Sequence, residues 1–101
     1  MDDTNPTVHF RYSEPNEGAE EYYANHVQVF WTGVDVTLVF GKLLHSSDDI
    51  AQNVLSIENR AKVSMAWSVA KLIANTLAES VAKYEQQNGE VKLPSQYKLP
   101  G

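Results

Sequence analysis

The chain contains no cysteine, which excludes disulfide frameworks, thiolate nucleophiles and Cys-ligated zinc or iron–sulfur centres. It has no apolar run near the roughly 20 residues that a membrane-spanning helix needs. Its start, Met1-Asp2-Asp3, is acidic where a signal peptide is basic. The expected compartment is therefore the cytoplasm. Basic charge is also scarce, with 8 Lys and Arg against 13 Asp and Glu. Residues 1–21 hold Asp2, Asp3, Glu14, Glu17, Glu20 and Glu21 against Arg11 alone, a net of −5, while residues 22–101 carry seven acids and seven bases and sum to zero. An acidic head on a neutral body lacks the clustered cations that displace counterions from a nucleic acid. The same shortage argues against an anionic membrane surface as partner.

What is present is the composition of one ordinary globular domain: 101 residues, 43% hydrophobic and 21% charged. Its organising stretch runs from Asn53 to Gly89. Leu55, Ile57, Ala61, Val63 and Met65 alternate with Ser56, Glu58, Arg60, Lys62 and Ser64, the period of a half-buried strand over about 54–65. Asn59 interrupts that parity and marks an expected bulge. Beyond Ala66 the period lengthens. Val69, Leu72, Ile73, Leu77, Val81 and Tyr84 recur at three- and four-residue spacings until Gly89, which predicts a helix over 67–88.

Upstream, Val27, Val29 and Trp31 share one face of a run, as do Val34, Val36, Leu38 and Phe40 of the next. The Thr32-Gly33 break between them predicts an antiparallel hairpin. Val8, Phe10 and Tyr12 alternate with Thr7, His9 and Arg11 and suggest a further short strand. Ser46-Ser47-Asp48-Asp49 offers helix-capping side chains, so one helical turn is expected over 48–53 within a connector spanning 41–53. Val91 and Leu93 are expected to fold back on the helix end or pair with an edge. The predicted fold is α+β: an antiparallel meander of three to four strands followed by one long C-terminal helix packed on the sheet. Residues 1–21 form an acidic N-terminal segment, 22–93 the core domain and 94–101 a tail.

Little in this pattern carries chemistry. His9, His26 and His45 lack metal-site spacing. Ser64, Ser68 and Ser80 sit in the strand–helix unit without a nucleophile motif, and no P-loop or dinucleotide fingerprint is present. Glu14 to Glu21 lacks the Asp/Asn spacing of a calcium loop and reads as a solvated acidic turn. A third reading is a small enzyme or metal protein that uses His26 with Asp35 or nearby carboxylates. The expectation is no enzyme, no cofactor and no metal. Phe30, Trp31 and Trp67 are the aromatics available to a partner.

Certain runs resemble a known family: Tyr23-Ala24-Asn25 before Val27 and Val29, the Phe40-Gly41 ending, Met65 leading to Ala70-Lys71-Leu72, and Tyr84-Glu85 before Gly89-Glu90. They resemble the small prokaryotic proteins catalogued as domain of unknown function 3467, over about residues 22–92. The chain departs where the family places Ser-Pro after the methionine, having Ala66-Trp67 instead. The resemblance implies a small meander with a C-terminal helix and supplies no catalytic residues.

The apolar arc of the predicted helix, with its alanines, covers well over half the circumference, more than a single sheet needs. The function this favours is a non-enzymatic interaction domain, a homodimer or higher oligomer, with Ala70, Ala74, Leu77, Ala78 and Val81 against the symmetry mate and another protein as the expected further partner. The alternative is a chaperone-like adaptor that binds a client segment on an exposed apolar sheet face.

Overall fold

In the computed structural model, which describes residues 7–44 and 54–93, three strands and one helix follow one another. Strand β1 is His26–Trp31, β2 is Asp35–Leu44, β3 is Ser56–Ala66 and helix α1 is Trp67–Asn88. The strands form an antiparallel meander in the order β1-β2-β3. No fourth strand occurs among the described residues. Val8, Phe10 and Tyr12, expected as a strand, lie in irregular chain and are exposed. Their alternation finds no neighbouring strand to bond with, and an unpaired strand is not stable in water.

The hairpin turn is held by one hydroxyl. Thr32 Oγ1 accepts from the amides of Val34 and Asp35, each at 3.1 Å, and donates to Asp35 Oδ1 at 3.0 Å, while the Thr32 amide donates to the Asp35 carbonyl at 2.9 Å. At the other end, Asn25 extends the pairing. Its amide donates to the Gly41 carbonyl at 3.1 Å and its side-chain oxygen accepts from the Leu43 amide at 2.8 Å.

Strand β2 does not stop at Gly41, as the glycine suggested, but continues to Leu44. What makes this possible is the bulge in β3. Phe40 stands opposite Ala61 and Gly41 opposite Asn59, so Arg60 has no counterpart. The extra residue reverses the face parity of everything before it. Ala61, Val63 and Met65 share the face of Val36, Leu38 and Phe40, whereas Ile57 crosses to the opposite face, opposite Leu43 and on the side of Val39 and Gly41. The simple alternation had placed Ile57 with Met65. A Cβ at Gly41 would lie 2.6 Å from Ile57 Cγ2 and 3.1 Å from the Glu58 carbonyl, so this glycine is required by close approach. The turn expected over 48–53 lies outside the described residues.

Helix α1 begins with no loop. Ala66 is still extended (φ −67°, ψ 155°) and supplies no capping side chain, and no acidic residue lies in the first turn. The helix start is instead pinned by Trp67, whose indole Nε1–H donates to the Thr32 carbonyl at 3.0 Å. Its ring meets Trp31 edge-on, with centroids 5.9 Å apart at 65°. Thr32 thus takes part in both features: its carbonyl accepts from the indole, and its hydroxyl accepts from the Asp35 amide. At the far end, Gly89 adopts φ 89° and donates to the Glu85 carbonyl at 2.9 Å, and the Val91 amide donates to the Glu85 carboxylate at 2.9 Å. Val91 and Leu93 remain exposed and form no strand.

Two stability measurements follow from this framework. Gly41→Ala is expected to lower the free energy of unfolding by about 1–3 kcal/mol through overpacking against Ile57, whereas Gly33→Ala, where an added Cβ meets nothing within 4 Å, stays within about 0.5 kcal/mol of wild type. Urea titration of the pair separates them, and equal costs would contradict the bulge geometry. Trp67→Phe keeps a ring and removes the indole donor; it is expected to cost about 1 kcal/mol and to loosen the first helical turn in amide exchange.

Candidate functional site

The chemistry-bearing residues do not converge. Among the described residues no three His, Cys, Asp or Glu side chains are placed to hold a metal ion. His26 opens β1 opposite Gly41, and Asp35 begins β2 at the turn. Six residues of strand, about 20 Å at 3.4 Å per residue, separate them, so the structure does not bring this pair together. His9 lies in the irregular segment, and His45 is outside the described residues. The Ser64 hydroxyl bonds with that of Thr37 across β2 and β3 at 2.7 Å, and Ser80 donates to the Thr76 carbonyl at 3.0 Å; both are structural uses. In the acidic segment, Gly18 (φ 81°) donates to the Pro15 carbonyl at 2.7 Å, closing a turn. The Tyr22 hydroxyl donates to the Glu20 carboxylate, and that bond, with the carboxylate's charge, raises the phenol above its ordinary pKa.

Among the described residues, an open apolar cleft of about 880 Å³ lies between the sheet and the helix. Val27, Val29, Val36, Leu38, Phe40, Val63 and Met65 supply its sheet side. The register explains the convergence: Val27 pairs with Phe40, Val29 with Leu38, and Val36 with Met65, all on one face. The helix side runs from Trp67 through Ala70, Ile73 and Ala74 to Leu77, with Lys71 as the lone charged residue in the lining.

The helix therefore presents its alanine edge to the cleft, not away from it. Ala70 and Ile73 are half-buried, while Leu72 is 63% and Leu77 58% exposed. On the rest of the apolar arc, Leu72 and Tyr84 are more than half exposed, and Val69 and Val81 a little under half. Of the residues proposed for an interface, Ala70, Ala74 and Leu77 line the cleft; Ala78 and Val81 follow on the exposed continuation of the helix. The aromatics divide. Trp31 and Trp67 pair at the hairpin end, but Phe30 points to the opposite face of β1. The role of Trp67 was not legible from its sequence neighbours, because its acceptor lies 35 residues away.

No helix among the described residues is long and apolar enough to cross a membrane. No curated protein and no solved structure matches the chain. One family model does, over residues 3–93, and the shared stretch takes in the hairpin, β3 and the whole of α1. By that match the chain belongs to the family described as protein of unknown function DUF3467.

Proposed function

We propose that this protein is a non-enzymatic interaction module that works as a homodimer or higher oligomer, its open cleft and alanine edge covered by a second protein surface. The observation that carries this is the shortage of burial. Among the described hydrophobic residues only Val36 and Val39 are buried, at 3% and 4% exposure.

The exposure of the lining agrees: Val29 at 56% and Leu77 at 58% border the cleft and still face water. The alanine edge suits close approach of another backbone, and Leu77 and Val81 supply apolar contact beyond it.

A second reading keeps this surface and changes its occupant. The cleft is open and almost wholly apolar in lining, which suits an extended or helical client segment held between sheet and helix. The two readings part on what the purified protein does alone. Light scattering coupled to size exclusion is expected to return a dimer or larger species at high micromolar concentration, with a melting temperature that rises with protein concentration. A clean monomer rules out self-association and leaves the client reading, which then requires dye binding by the native fold and suppression of a model client's aggregation. Ala74→Glu places a charge in the cleft; it is expected to weaken association at least tenfold while far-ultraviolet dichroism keeps its helical amplitude.

A further inference from the structure

Three apolar side chains upstream of the sheet take no part in the core. Val8, Phe10 and Tyr12 are 72%, 79% and 88% exposed. They nevertheless line up: the Phe10 and Tyr12 ring centroids lie 6.4 Å apart, close to the roughly 6.8 Å repeat of alternate residues in an extended chain. Glu14 follows in the same parity, while His9 and Arg11 take the other. The turn between Pro15 and Gly18 ends this arm. The family match begins at residue 3, so the arm belongs to the shared domain.

The cleft has matching dimensions and charge. Its helix wall from Trp67 to Leu77 is about 15 Å long at 1.5 Å per residue, and Val8 to Tyr12 spans about 14 Å at 3.4 Å per residue. The lining holds no carboxylate and one cation, Lys71, which has no ion pair among the described residues. A segment with three apolar side chains in a row and an acid at its end complements an apolar cleft with a single lysine. In the single chain both surfaces are exposed, so each is available to a neighbour.

We propose that the arm of one copy, residues 8–14, lies in the cleft of a second copy, and that two such exchanges hold a symmetric dimer. The proposal rests on the self-association reading above and names what covers the cleft. Val8, Phe10 and Tyr12 go down onto the lining. Because the cleft is open, the arm's backbone groups stay at its mouth and remain hydrated. The direction follows from Glu14. Lys71 lies one helical turn from Trp67, so the carboxylate reaches it when Tyr12 sits at the Trp67 end and Val8 at the Leu77 end. Arg11 then faces solvent. An exposed ion pair contributes a few-fold in affinity at most; the apolar contacts carry the rest.

The absence of cysteine makes the test direct. Phe10→Cys and Ala74→Cys chains are co-refolded from urea and treated with a short bifunctional thiol reagent. The control pairs Phe10→Cys with Lys62→Cys, which stands opposite Val39 on the other face of the sheet. A covalent heterodimer is expected from the first mixture and not from the second. Phe10→Asp is expected to weaken association at least tenfold by light scattering with far-ultraviolet dichroism unchanged, since Phe10 is exposed and outside every strand. Glu14→Lys is expected to weaken it a few-fold, and adding Lys71→Glu to the same chain restores it. A dimer with no link between Phe10→Cys and Ala74→Cys, and indifferent to Phe10→Asp, overturns the exchange and leaves self-association through another surface. A link formed only within single chains carrying both cysteines also overturns it, and makes the arm a cover for its own cleft. A monomer by scattering removes the exchange and the self-association reading together.

Discussion

The structure depends on one hydrogen bond that links its two halves. The Trp67 indole donates to the Thr32 carbonyl, so the first residue of the helix is tied to the turn of a hairpin 35 residues earlier. Without a loop between β3 and α1, the direction of the helix is set by this bond and by the edge-on Trp31–Trp67 contact. Neither a cap nor an acidic first turn assists. Thr32 also works in the turn, where its hydroxyl accepts from the Asp35 amide while its carbonyl accepts from the indole. Helix placement and hairpin closure are thus one arrangement, and Thr32 serves both.

Anchored at one end, the helix leaves the rest of its apolar arc and the sheet face beneath it only partly covered. The hydrophobic effect scales with apolar area removed from water, and here it acts on very few side chains. The polar side chains that bond in this part of the structure, Thr37 with Ser64 and Thr32 with Asp35, close the strands and the turn.

Much of this architecture was legible in the sequence, for identifiable reasons. The helix from Trp67 to Asn88 follows a strong apolar period ended by Gly89, whose φ of 89° is the conformation that favours glycine. The hairpin follows two alternating runs about a short break. The bulge was visible as a fault in parity at Asn59, but its consequence was not. Only the pairing of Phe40 with Ala61 and of Gly41 with Asn59 shows that Ile57 changes face. Gly41 looked like a strand end because glycine disfavours strands. Its real reason is the Ile57 side chain packed over it, a contact between residues 16 positions apart. The alternation of Val8, Phe10 and Tyr12 misled because periodicity reports the capacity to form a strand and not the presence of a neighbour.

The helix orientation was the least legible feature, and it bears most directly on function. Summed apolar area around a helix cannot say which flank meets the sheet when the arc is wider than the sheet requires. The Trp67 anchor decides it by rotating Ala70, Ile73, Ala74 and Leu77 inward. Small side chains facing a sheet leave space, and that space is the cleft. The cleft and the exposure of Leu72 therefore have a common origin in one rotation about the helix axis. Any occupant of the cleft also meets the floor formed by Val27 and Val29 on β1.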